Sequence, residues 1–104
     1  MKLRDKDRIM LCQLADAKIK TPVEIWAYGS RVDGSAHEGS DLDLVIRTEN
    51  LNPLPIGELR GFIEAVSASN IPILVQIFDW GRIPPSFQQR ILAGYEVLHT
   101  ICKG

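Results

Sequence analysis

The chain has two cysteines in 104 residues, Cys12 and Cys102, with no C-x-x-C pair and no Cys/His cluster beside either. Both read as free thiols, Cys12 within a helix and Cys102 in the tail, and a structural zinc is not expected. No apolar run approaches the ~18 residues that a membrane span needs. Excess charge is also missing: the net charge is −1, which argues against a broad basic surface gripping nucleic acid. The opening MKLRDKDR carries charges of both signs and leads into no signal-type apolar segment, so a cytoplasmic protein is expected. There is no internal repeat, low-complexity segment or linker. With 45% apolar residues there is enough for one core, so residues 1–104 read as a single domain with little room for two substrates.

What the chain does have is Gly29-Ser30, followed after ten intervening residues by Asp41-Leu42-Asp43. Residues Val23 to Tyr28 (VEIWAY) read as a buried strand, rich in β-branched and aromatic residues, and Gly29 ends it. In Asp41 to Ile46 (DLDLVI) acids alternate with aliphatics. Both carboxylates therefore share one strand face, about 7 Å apart, while Leu42 and Leu44 enter the core on the other. Such a pair is unfavourable unless a cation lies between its members. A hard divalent ion carrying substrate phosphates, Mg²⁺ or alternatively Mn²⁺, removes that cost. Gly29 permits a close backbone approach to phosphate, and Ser30 offers a hydroxyl and an N–H to a triphosphate oxygen. Arg31 is either a phosphate partner or a solvated rim charge. Ser40 turns the chain into the strand, with its hydroxyl in reach of a phosphate. Asp33 and Glu38 read as exposed loop residues, and so does His37, with an approach to the phosphates as its alternative.

The motif GSRVDGSAHEGSDLDL, Gly29 to Leu44, resembles that of the minimal nucleotidyltransferases, the smallest members of the DNA polymerase beta-like superfamily. Ile73 to Trp80 (ILVQIFDW) looks like the family's third core strand, and with the flanking helices the resemblance covers almost the whole chain. It implies that Asp41 and Asp43 bind divalent metal and that the substrate is a nucleoside triphosphate, ATP foremost. It also implies a HEPN-domain partner protein in an antitoxin-type arrangement. A minimal domain without an acceptor region is expected to leave apolar surface for a homodimer or hetero-oligomer.

One departure stands out. The superfamily supplies a third carboxylate from the next strand, in a pattern of hydrophobic residue, Asp, two hydrophobic residues, then Asp-Trp. Here Val75, Gln76, Ile77, Phe78, Asp79 and Trp80 occupy those places. Gln76 thus stands at the third-carboxylate position, where its amide carries no charge and cannot act as a base. Asp79, three residues on, alternates to the opposite face and substitutes only if the strand bulges or ends before it.

The remaining elements follow from periodicity and punctuation. Residues Asp5 to Lys18 form a helix, with Ile9, Cys12, Leu14 and Ala17 at near-helical spacing. Ile56 to Ser69 form a second, with Ile56, Leu59, Phe62, Ile63 and Val66 on its apolar face. Ile73 to Phe78 are the third strand, and Pro84-Pro85 start a third helix that buries Phe87, Ile91 and Leu92. Tyr95 to Ile101 are either a last strand or a tail. Trp26 reads as core and His99 as structural; Trp80 reads as core or, alternatively, as packing under the site or meeting a partner protein. The order α-β-β-α-β-α-(β) indicates an α/β (α+β) two-layer sandwich, a small mixed sheet with helices packed on one face, in the nucleotidyltransferase fold.

Two functions fit these observations. One is Mg-dependent transfer of AMP from ATP to a hydroxyl on the HEPN partner, with catalytic Asp41, Asp43 and Gln76 and phosphate contacts from Gly29, Ser30, Arg31 and Ser40. The alternative is a catalytically impaired nucleotide- or partner-binding module, because Gln76 replaces the carboxylate. An antibiotic-modifying enzyme would need an acceptor-binding region that this sequence lacks.

Overall fold

A computed structural model describes residues 3–29, 32 and 41–102. Helix α1 (Asp5–Lys18) carries Asp5 and Asp7 in its first turn and Lys18 in its last, signs that complement the helix dipole. Strands β1 (Val23–Tyr28) and β2 (Leu42–Thr48) follow, then helix α2 (Ile56–Ser67) and strand β3 (Val75–Asp79). A 3-10 turn (Trp80–Arg82), helix α3 (Pro85–Leu92) and strand β4 (Tyr95–Ile101) complete the described fold. Among the described residues no helix is long and apolar enough to cross a membrane.

The four strands make one mixed sheet in the order β3-β2-β1-β4. β1 runs antiparallel to β2 and β4. β2 and β3 are parallel, which requires the crossover that α2 provides. β4 is thus a true strand, and the choice left open by its sequence is settled by its pairing with β1. It sends Leu98 into the core, and His99 Nε2 meets Asp16 Oδ1 of α1 at 2.8 Å.

Strand alternation builds two cores. Val23, Ile25 and Ala27 of β1 and Leu42, Leu44 and Ile46 of β2 face α1 and α2, where Leu11, Ala15 and Phe62 close over them. Trp26 and Val45 point the other way and are buried with Trp80 and Ile91. The helices therefore do not all share one face, as the sequence suggested. α1 and α2 cover one side, while α3 and the 3-10 turn lie against the other. The physical reason is that the middles of β1 and β2 are apolar on both faces, so a single helical layer would leave Trp26 and Val45 in water. Both tryptophans are buried as expected. The Trp26 ring stacks on Tyr95 at 3.9 Å and meets Trp80 edge-on at 5.5 Å, with the Arg47 guanidinium 5.0 Å from its centre.

Candidate active site at the ends of β1 and β2

Register places the acidic strand end. Asp43 pairs with Tyr28 across the antiparallel ladder and with Gln76 across the parallel one. Tyr28 in turn pairs with Tyr95. Directly opposed residues share a face, so Gln76, Asp43, Tyr28 and Tyr95 form a row across one end of the sheet. Asp41 immediately precedes β2 and, two residues from Asp43, belongs to the same side. Its Oδ2 accepts a hydrogen bond from Gln76 Nε2 at 3.2 Å. The Gln76 amide therefore faces the acidic pair.

Gly29 ends β1 with φ +82°, a left-handed conformation that glycine adopts without steric cost. A β-carbon built there would sit 2.6 Å from Asp43 Oδ2. Any other residue there would strain the backbone and push the Asp43 carboxylate aside.

Asp43 is half-buried, and that burial, together with the Asp41 charge, holds its carboxyl above the ordinary carboxylate range. The same crowding acts on Tyr28, whose phenol is pushed up to about 12, first by burial and then by Asp43. Among the described residues no third His, Cys, Asp or Glu joins Asp41 and Asp43 in a metal-sized cluster. Two adjacent carboxylates, one partly desolvated and both at a glycine-lined strand end, fit a hard divalent cation that completes its shell with phosphate oxygens and water.

The raised Asp43 carboxyl has a consequence for stability. The folded state holds this proton more tightly than the unfolded chain, so ionisation costs folding free energy. That cost is absent below the unfolded value and complete above the folded one. Asp43→Asn is expected to raise Tm by about 2 °C at pH 7 in metal-free buffer, a small effect because the group is partly screened by solvent. The gain disappears as the pH falls into the ordinary carboxylate range, and melting curves of both proteins across pH check it.

Asp79 does not supply the missing carboxylate. It pairs with Ile46 on the α2 side of the sheet and is 3% exposed. Its oxygens accept from Leu54 N at 2.9 Å and Gly81 N at 3.2 Å and pair with the Arg82 guanidinium. The strand ends on it, as the sequence allowed, but its side chain is consumed in pinning the loop before α2 to the 3-10 turn. Asp79→Ala is expected to cost about 2–4 kcal/mol of stability, because the buried Leu54 N–H loses its acceptor and Arg82 its counter-charge. Denaturant unfolding measures the loss; nucleotide affinity in the folded fraction should not move.

Ser30, Arg31 and Ser40, expected at the phosphates, lie outside the described residues, as do Asp33, His37 and Glu38. The structure adds residues that the sequence did not single out for the site. A cavity of about 560 Å³ opens beside Asp43 and Gly29, with Tyr28, Phe87, Arg90 and Tyr95 among its walls. Tyr28 was legible as the outward neighbour of Gly29 in β1. The contribution of α3 was not, since its position depends on the turn at Trp80. A second cavity, about 360 Å³, lies at the far end of the same strands beside Arg47 and Thr48.

A family profile described as "Polymerase beta, Nucleotidyltransferase" matches residues 12–101. The chain belongs to the polymerase beta nucleotidyltransferase family. The match spans every strand of the sheet and both ends of the acidic motif. A relative from Haemophilus influenzae, described as "Probable protein adenylyltransferase MntA", is 39% identical over 74 residues. That alignment covers 71% of this chain and 63% of the relative, so the chain spans less than two thirds of the relative's length. Among solved structures, one chain of "Crystal structure of the toxin-antitoxin with AMP-PNP" superposes with a TM-score of 0.70 at 20% identity. The superposition covers 92% of this chain and 73% of that one. At this identity the likeness shows a shared fold.

Proposed function

We propose that this family member transfers a nucleoside monophosphate, AMP from ATP, to a hydroxyl on a partner protein, with Mg²⁺ held by Asp41 and Asp43. The observation that carries the reading is the acidic strand end itself: Asp43 is held beside Asp41 at a partial desolvation cost, against a glycine whose left-handed backbone a side chain would strain. Bound there, Mg²⁺ (or Mn²⁺) supplies the positive charge that draws a triphosphate to the pair and offsets charge developing on the α-phosphate. The chain's own residues do the rest by placement. Gly29 lets phosphate oxygens approach the backbone, and Ser30, Arg31 and Ser40 contact the triphosphate. The acceptor oxygen forms its bond to the α-phosphorus as the bridge to the β-phosphate breaks and pyrophosphate leaves. Gln76 cannot take the acceptor's proton, which passes to solvent.

The acceptor is proposed to be a tyrosine hydroxyl of a HEPN-domain protein. The relative described as a probable protein adenylyltransferase supports a protein acceptor, and the fold shared with a chain of a toxin–antitoxin structure supports a partner; the HEPN tyrosine rests on the motif resemblance. Leu92, Tyr95 and Val97, each about two-fifths exposed, leave apolar surface beside the site for a homodimer or hetero-oligomer.

A second reading is favoured by one observation. The Gln76 amide donates to Asp41, occupying with a neutral donor a place where a third anionic oxygen would assist catalysis. In that reading the chain holds Mg-nucleotide and its partner without turnover. ATP labelled at the α- or the γ-phosphate, incubated with Mg²⁺ and the HEPN partner, separates the two. Label arriving on the partner from the α-position alone supports transfer. No transfer of either label, with Mg-ATP binding intact, supports the binding module, and failure to bind Mg-ATP contradicts both.

A further inference from the structure

We propose that the cavity between Asp43 and α3 receives the base of the bound nucleotide, stacked on the Arg90 guanidinium. This rests on the reading of Asp41 and Asp43 as the nucleotide's metal site and adds where the nucleoside lies and which side chain selects it. The cavity is continuous with that site, because Gly29 and Asp43 line it together with Phe87, Arg90 and Tyr95. Its volume, about 560 Å³, falls within the ~300–1,000 Å³ range of small-molecule sites.

The walls suit a flat ring better than a phosphate chain. Phe87 is fixed by edge contacts to Tyr28 at 6.0 Å and to Phe78 at 5.2 Å. The Arg90 guanidinium lies over its ring, 5.9 Å from the centre. An arginine guanidinium is planar and stacks on nucleic acid bases as it does on aromatic rings. Tyr95 is held from behind by Trp26. Among the described residues that line the cavity, Arg90 is the only cation, too little positive charge to hold a triphosphate tail but sufficient for one stacked ring. Arg90 is solvent-exposed on α3, so its replacement leaves the cores intact.

The test compares two ligands by calorimetry in Mg²⁺ without any acceptor: ATP, and inorganic tripolyphosphate, which has the charge but no base. Arg90→Ala is expected to weaken ATP roughly tenfold, the usual size of one lost base stack, and to leave tripolyphosphate unchanged. Arg90→Lys should weaken ATP almost as much, since an ammonium keeps the charge and loses the plane. Thermal melts confirm the fold of each variant. ATP affinity equal to the parent's in both variants, with Asp41→Asn/Asp43→Asn still abolishing binding, overturns the base assignment while the metal site stands. Loss of both ligands in Arg90→Ala with none in Arg90→Lys makes Arg90 a phosphate contact and also overturns it. Full binding of both ligands by the double Asn variant overturns the nucleotide site and this inference with it.

Discussion

Gln76→Asp is expected to raise the rate of AMP transfer roughly 10²-fold, the scale of a restored general base. The register of β3 against β2 places residue 76 directly opposite Asp43, and its side chain already reaches Asp41. A carboxylate at that position would add a proton acceptor and a third anionic oxygen to the site. It would also remove the hydrogen bond donated to Asp41 and bring three like charges together, so the metal-free variant should be less stable than the parent. Its dependence on Mg²⁺ should be steeper. In the parent, Mn²⁺ should recover part of the rate, because it binds such ligands more tightly than Mg²⁺ does. Initial rates of α-label transfer at saturating Mg-ATP measure the effect. An unchanged or lower rate, with folding and Mg-ATP binding intact, would show that the chemistry does not use a carboxylate there.

Removing the acidic pair should have the opposite effect on function and little effect on folding. Asp41→Asn with Asp43→Asn is expected to abolish Mg-dependent ATP binding, a loss of at least about 10²-fold, since two neutral amides replace the paired anionic oxygens proposed to hold the ion. Neither side chain belongs to a core: Asp43 is half-buried at the cavity wall and Asp41 lies beyond the strand. The double variant should melt at or slightly above the parent, because the Asp43 desolvation cost disappears with its charge. Calorimetric titration of Mg-ATP, paired with a thermal melt, reports both quantities on one sample.

Much of this geometry could be read from residue order because it depends on local alternation. The D-x-D spacing fixed the common side of Asp41 and Asp43. The same parity placed Asp79 on the face opposite Gln76, where it is found buried against Leu54 and Arg82. Proline marked the start of α3 and the β-branched run marked β1. The parts that escaped depend on contacts distant in sequence. Whether Tyr95–Ile101 is a strand is decided by hydrogen bonds to β1, more than sixty residues earlier in the chain. The side of the sheet taken by α3 is decided by a three-residue turn and by the apolar outer face of Trp26 and Val45. Once α3 crosses to that face, Phe87 and Arg90 join the cavity beside Asp43. Their helical spacing alone marked Phe87 as core and left Arg90 unremarked.

The most direct test of the account is a crystal structure of the chain with Mg²⁺ and a non-hydrolysable ATP analogue. One ion is expected to be ligated by both Asp41 and Asp43, with the phosphates against Gly29 and Ser30 and Gln76 facing the same site without a metal of its own. A nucleotide seated instead in the cavity beside Arg47 and Thr48, or an ion that touches neither aspartate, would contradict it.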